Sequence, residues 1–403
     1  MLVVFVAPYF SDNAKRFLGT IAAVPRVRLA VVSQEPESAL PHELREYVAR
    51  YVRVGDALRA DDLVGAALQI QAVEGPIHRL LGAVEQIQEA LGEARERLGL
   101  AGMTAAQARN FRDKRQMKEL LRAGGVPVAR NLLVDSKDAA LRFAREVGYP
   151  LVVKPPAGAA SQTTYRATDD ASLVAALGPA SQSGGGVVLL EEFVTGQEHS
   201  YDAFVKDGRV FFYSVSDYLP TPLEAMENPW IQWAVLLRRD YEADDIAEVG
   251  QRALSVLGLE TGMCHAEWFR RRDGSLVFSE VAGRPGGAQI PLLISRAHDV
   301  DAIDAWSRLV TTGETTAFGP RKYAAAAAFL RGQGDGRVRA VHGAEQALRD
   351  LGDLVTDVRL PQIGQAKSSS YEGEGNVLVR HPDTNVVRDA ITHLISNIRV
   401  ELG

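Results

Sequence analysis

Short, unbroken apolar runs that alternate with helical patterns constrain this chain most. LVVFVA (2–7) and VRLAVVS (27–33) are too short to span a membrane and lack the polar alternation of a half-buried strand, so both read as buried strands of a parallel sheet. DDLVGAALQIQAV (61–73) follows with helical periodicity, and 77–98 is helix-like, with Glu and Arg spaced for i,i+4 pairing. Residues 1–103 are therefore expected to form a Rossmann-like α/β domain. The first strand runs into Pro8-Tyr9-Phe10-Ser11 and not into GxGxxG, so no dinucleotide site is predicted there.

A chain of 403 residues exceeds one ordinary core and should divide further. Thr104 is placed to cap a helix that runs to Gly124-Gly125. The strand YPLVVKPP (149–156), a small polar loop (157–169) and SQSGGG (181–186) complete an α+β unit over 104–186. VVLLEEFV (187–194) opens a second unit, with a hairpin expected around Asp207-Gly208 and a boundary near 319. Residues 320–403 read as a separate small α+β subdomain. The net charge of −6 gives no reason to expect nucleic acid or an anionic membrane. Cys264 is the single cysteine, which excludes an internal disulfide and fits a reducing compartment. The amino terminus has no basic region before its apolar run, and no segment nears the roughly 18–20 apolar residues of a membrane span, so a cytoplasmic protein is expected.

The chemistry concentrates in HAEWFRRRDGSLVFSEVAGRPGG (265–287). Asp273-Gly274 predicts a two-residue hairpin turn, which places Glu267 opposite Glu280. By the two-residue period, His265, Glu267 and Phe269 would share a face with Phe278 and Glu280. Directly opposed like charges repel unless a cation lies between them. Three readings remain at this point: a hard divalent ion such as magnesium held by both carboxylates, a solvated sheet face, or an acid/base pair for glycoside cleavage. Arg284 and the turn Pro285-Gly286-Gly287 follow, where an arginine and backbone amides could meet an anion; a structural ion pair is the alternative for Arg284.

Lys154 ends the apolar strand LVVK, either snorkelling or facing an anion. Lys114 lies in RDKRQMKELL on a polar helix face, where a solvated charge is the simple alternative. The loop 157–164, which includes Ser161, is small and hydroxyl-rich, as a flap over phosphates would be, although GxxxxGK[ST] is absent. In LLEEFVTGQEHSYD, Glu191 with the backbone of Phe193 and Val194 could meet an adenine edge, and Glu198 could take a ribose diol. Trp230 and Trp233 could wall a substrate pocket or simply pack. Glu224 and Glu227 could meet an ammonium or face solvent. His265 could touch substrate or be structural.

Lysine, flap, acidic hinge, glutamate pair and arginine in this order resemble the ATP-grasp superfamily, specifically carboxylate–amine ligases of the L-amino-acid (dipeptide) ligase type. The resemblance rests on RDKRQMKELLRAGGVPVAR, YPLVVKP, LLEEFVTGQEHSYD, CHAEWFRRRDGSLVFSEVAGRPGG and YAAAAAFLRGQGDGRV, and spans roughly residues 100 to 360. It implies an ATP-grasp fold behind an N-terminal α/β domain, and ATP held between two α+β subdomains. Lys114, Lys154 and Ser161 would then contact phosphates. Glu191, Phe193, Val194 and Glu198 would hold the nucleoside. Glu267 and Glu280 would ligate Mg2+, with Mn2+ as a substitute, and Arg284 would hold the γ-phosphate or acyl-phosphate. His265, Gly286, Gly287 and Trp233 would face small carboxylate and amine substrates. A homodimer is expected from the resemblance alone. Many members carry Glu-x-Asn before the arginine; here that Asn position is Ala282, which puts a further metal ligand in doubt.

Overall fold

A computed structural model describes residues 1–157, 163–228, 231–240 and 244–403. The two apolar runs at the start of the chain are neighbouring parallel strands, Leu2–Val6 and Arg28–Ser33, inside a four-stranded parallel sheet that Val48–Arg53 and Ile77–Leu81 complete. The expectation of a helix across 77–98 is corrected here. IHRLL is the fourth strand, and the helix begins only at Gln88. A fourth parallel strand buries Ile77, Leu80 and Leu81, which outweighs the charge spacing that suggested a helix.

The polar segment 104–124 is two helices and not one. Thr104 caps Ala105–Arg112 in a reciprocal capping box with Gln107. Asp113 then interrupts the helix and caps Lys114–Ala123 by accepting from the backbone of Arg115 and Gln116. The break has a consequence for the site, because it brings the Lys114 amide to the Pro156 carbonyl at 2.9 Å.

Asn131–Val134, Val188–Glu192, Leu151–Lys154 and Tyr165–Ala167 form an antiparallel four-stranded sheet, in that order. Val188–Glu192 thus belongs with the unit before the boundary expected at 186. The largest sheet has eight antiparallel strands, ordered Leu276–Ala282, Gly262–Arg270, Gln197–Lys206, Arg209–Leu219, Trp233–Leu237, Ala324–Leu330, Gly375–His381, Val355–Arg359. Three of these lie beyond residue 319, so that part of the chain extends the central sheet and is not a separate unit. A small three-stranded sheet holds the carboxyl-terminal strand Arg399–Leu402.

One apolar core joins the amino-terminal sheet to the central one. Its helix Asp12–Ala23 packs on Ala302–Thr312 through Phe17 against Trp306, edge to face with ring centres 4.8 Å apart, and Thr20 meets Ser307 at 2.7 Å. Among the described residues no helix is long and apolar enough to cross a membrane.

Candidate active site

The hairpin Gly262–Arg270 and Leu276–Ala282 sets Glu267 directly opposite Glu280, by a route that differs from the expected turn. The turn is one residue longer than predicted. Arg271 N donates to Ser275 O, Gly274 N donates to Arg271 O, and only Gly274 has a positive φ. Strand partners near the turn are therefore shifted, so that Trp268 faces Phe278 and Arg270 faces Leu276. The register steps back between Glu267 and Trp268, leaving Ser279 as the extra residue of a bulge. Beyond it, Glu267 faces Glu280 and His265 faces Ala282. The bulge also turns Phe278 to the other side, where it is buried with Trp268. Phe278 is thus not on the glutamate face, contrary to the alternation argument.

Three buried lysines converge on this face. Lys114 Nζ lies 2.6 Å from Glu280 Oε1, and Lys114 is 6% exposed, so it is not the solvated charge that a polar helix face suggested. Lys154 and Lys118 share the Glu191 carboxylate at 2.9 and 3.1 Å. Lys118 is fully buried and also donates to the carbonyl of Ser279, the bulge residue, at 2.9 Å. Glu191 lines the cavity, but its carboxylate is held by these two lysines and stays ionised below the usual range despite burial.

Burial depresses basicity at His265, but Asp202 at 2.8 Å more than offsets it and raises the imidazole to about 9. Asp202 is itself fully buried. The other ring nitrogen is 3.9 Å from Glu267 and 3.4 Å from the Tyr218 hydroxyl. Glu198 is pushed well above the usual carboxylate range, first by burial and then by Glu267. Arg284 reaches back to Glu85 at 2.6 Å, and Arg112 meets the other Glu85 oxygen at 2.9 Å. Gly286 passes so close to this network that a Cβ there would stand 2.8 Å from Asp202 Oδ1 and 3.1 Å from the His265 ring, which requires glycine.

These groups surround one cavity of about 610 Å³. Lys114, Lys154, Glu191, Phe193, Val194, Glu198, His265, Glu267, Glu280, Arg284, Gly286 and Gly287 all line it. A model of the ATP-grasp domain matches residues 147–291. The chain has the ATP-grasp fold.

The L-amino acid ligase of Bacillus licheniformis superposes over 100% of this chain and 98% of that one, with a TM-score of 0.80 and 17% identity. In sequence, the chain is 26% identical over 233 residues to an L-arginine-specific L-amino acid ligase of Bacillus subtilis, covering 56% of each protein. The matched stretch thus spans little more than half of that ligase. A phosphoribosylamine–glycine ligase of Allochromatium vinosum is 33% identical over 167 residues, covering 38% of this chain and 37% of its own.

Within the ATP-grasp domain the donor set suits a hard divalent ion only in part. Glu267 and Glu280 offer two carboxylates, and Ala282 adds no ligand beside them. No cluster of three His, Cys, Asp or Glu side chains suited to a metal occurs among the described residues. Two carboxylates completed by phosphate oxygens and water is an arrangement that magnesium accepts. Trp233 is corrected: it is fully buried on a central strand, donates to Pro220 O at 2.9 Å, and stands behind Tyr218 and Tyr371, which do line the cavity. Ser161 and Trp230 lie outside the described residues, although Thr164 of the same loop lines the cavity. Glu224 lines it too, whereas Glu227 pairs with Arg166 at 3.0 Å. Glu85, Lys118, Asp202 and Tyr371 were not singled out from the sequence, and each depends on partners far away in the chain.

Proposed function

We propose that this protein is an ATP- and magnesium-dependent carboxylate–amine ligase that forms an amide bond through an acyl-phosphate and releases ADP and phosphate. The observation that carries this reading is the convergence of an opposed glutamate pair with Lys114, Lys154 and Arg284 on one cavity. A triphosphate meeting a carboxylate nucleophile accumulates negative charge, and positioned cations are what such a reaction requires.

Glu267 and Glu280 would hold magnesium, which when bound offsets charge on the nucleotide phosphates. Lys114 and Lys154 stabilise the phosphates as charge shifts toward ADP. Arg284, fixed by Glu85, takes the transferred phosphoryl group. One oxygen of the substrate carboxylate bonds to the γ-phosphorus as the bond to the ADP oxygen breaks. A neutral amine then bonds to the acyl carbon, phosphate leaves with that oxygen, and the amine sheds a proton. Phe193 and Val194 would line the adenine pocket and Glu198 the ribose. Exclusion of water from the cavity during turnover would matter because water would hydrolyse the acyl-phosphate. The similarity to L-amino acid ligases supports an amino acid or similar small carboxylate as donor. A purine-pathway amine as acceptor is the second reading, favoured by the likeness to phosphoribosylamine–glycine ligase.

The test is ADP release measured with a panel of carboxylates and amines, with the products identified by mass spectrometry. ADP release that needs both partners and yields an amide supports the ligase. Release that ignores both, or tight ATP binding without turnover, contradicts it.

A further inference from the structure

Most carboxylates on the cavity wall already have a cation within salt-bridge distance. Glu280 has Lys114, Glu191 has Lys118 and Lys154, and Glu85 has Arg284 and Arg112. Among the described residues Glu198 has none within that distance but adjoins the glutamate pair, and Glu224 is exposed. Glu372 is different. It lines the same cavity from the segment between the strands Val355–Arg359 and Gly375–His381, where it adjoins the Pro285-Gly286-Gly287 turn. Its Oε1 accepts from the Ala288 amide at 3.1 Å, and a Cβ on Gly287 would stand 3.6 Å from that oxygen. Among the described residues its other oxygen accepts no hydrogen bond and no cation lies within 4 Å. Arg284 and Arg359 act on it only at longer range, and burial raises its pKa.

A half-buried carboxylate that faces the cavity with no counter-charge is placed to receive one, and the nucleotide's phosphates bring only more negative charge. Magnesium is assigned to Glu267 and Glu280, which leaves the other substrate as the source of a cation for Glu372. Resting on the ligase reading, we propose that Glu372 is a specificity-determining residue that takes a cationic nitrogen of the carboxylate substrate, so that the protein selects acids bearing an ammonium or guanidinium group over neutral acids.

The experiment measures carboxylate-dependent ADP release for wild type and Glu372→Gln. Gln keeps an oxygen for the Ala288 amide and removes only the charge. Alanine carries the α-ammonium alone, N-acetyl-arginine the side-chain cation alone, and propionate neither. In wild type at least one of the first two should have a KM at least about tenfold below that of propionate. Glu372→Gln should erase that gap without changing the KM for ATP. Which of the two loses affinity identifies the nitrogen that is read. A wild type that shows no such gap, or a gap that survives the substitution, overturns the proposal. If no carboxylate supports turnover, the ligase reading has failed, and the same panel is read by thermal shift. Stabilisation of wild type but not of Glu372→Gln by the cationic acids upholds the role of Glu372, while equal shifts or none overturn it.

Discussion

Arg284 and Glu85 stand 2.6 Å apart although 199 residues separate them in the chain. Glu85 belongs to the amino-terminal unit and Arg284 follows the glutamate pair, so the contact ties that unit to the wall of the cavity beside the pair. Burial opposes ionisation of Glu85, but Arg284, Lys114 and Arg112 hold it below the usual carboxylate range. Glu85→Ala should free the guanidinium to move by about an ångström or more and lower kcat by roughly 10- to 100-fold. Glu85→Gln, which still accepts hydrogen bonds, should lose less. A fall confined to the KM for ATP would show that Glu85 does not act through Arg284.

Glu280→Gln should lower turnover by about 100-fold or more while leaving the fold intact, read by steady-state kinetics beside circular dichroism. Wild-type activity in that variant would remove the magnesium assignment. Ala282→Asn probes the same site from the other side. Ala282 is buried beside Glu280 and faces His265. An added amide oxygen there should reduce the magnesium concentration needed for half-maximal rate, and an unchanged requirement would place that position outside the metal's reach.

Lys118 supports the bulge that aligns the glutamates. It is fully buried, and its pKa is lowered to about 8, first by burial and then, against the pull of Glu191, by Lys154. Lys118→Met leaves Glu191 with one cation where it had two and frees the Ser279 carbonyl. Urea unfolding should show a loss of about 3 kcal/mol, the scale on which a buried pair is broken. The double variant Lys118→Met, Glu191→Gln should cost less than the sum of its parts, and strict additivity would show that the two side chains are not coupled.

His298 supplies a pH test. Burial, then Arg321, lowers its imidazole from the ordinary 6.5 to about 4. The folded protein keeps this ring neutral while the unfolded chain takes up a proton, so stability falls as pH drops from about 6.5 toward about 4. Chemical unfolding at pH about 7.5 and about 5 should show a smaller acid loss in His298→Leu than in wild type. Equal losses would show that this ring does not contribute.

The sequence reveals those parts of the site whose geometry is local. Glu267 and Glu280 sit on one hairpin, so the two-residue period finds their face, and Lys154 stands at the end of its own buried strand. The turn was misjudged because Asp273 does not adopt a positive φ, and the Ser279 bulge then compensates for the longer loop. No local pattern announces such a compensation. Glu85 was hidden for another reason, since its segment reads as helix until a neighbouring parallel strand claims Ile77–Leu81. Lys118 resembles any lysine on a polar helix face until the hairpin covers it. Trp233 looked like a pocket wall because its segment reads as a substrate loop, and only the pairing with Arg209–Leu219 and Ala324–Leu330 makes it a strand and buries it completely.

The central claim is that a substrate carboxylate is phosphorylated before the amine attacks. The most direct test supplies that carboxylate labelled with heavy oxygen, together with ATP, magnesium and an amine, and measures the label in the released phosphate by mass spectrometry. The account predicts one labelled oxygen in each phosphate formed with the amide. Amide formation with unlabelled phosphate would contradict it.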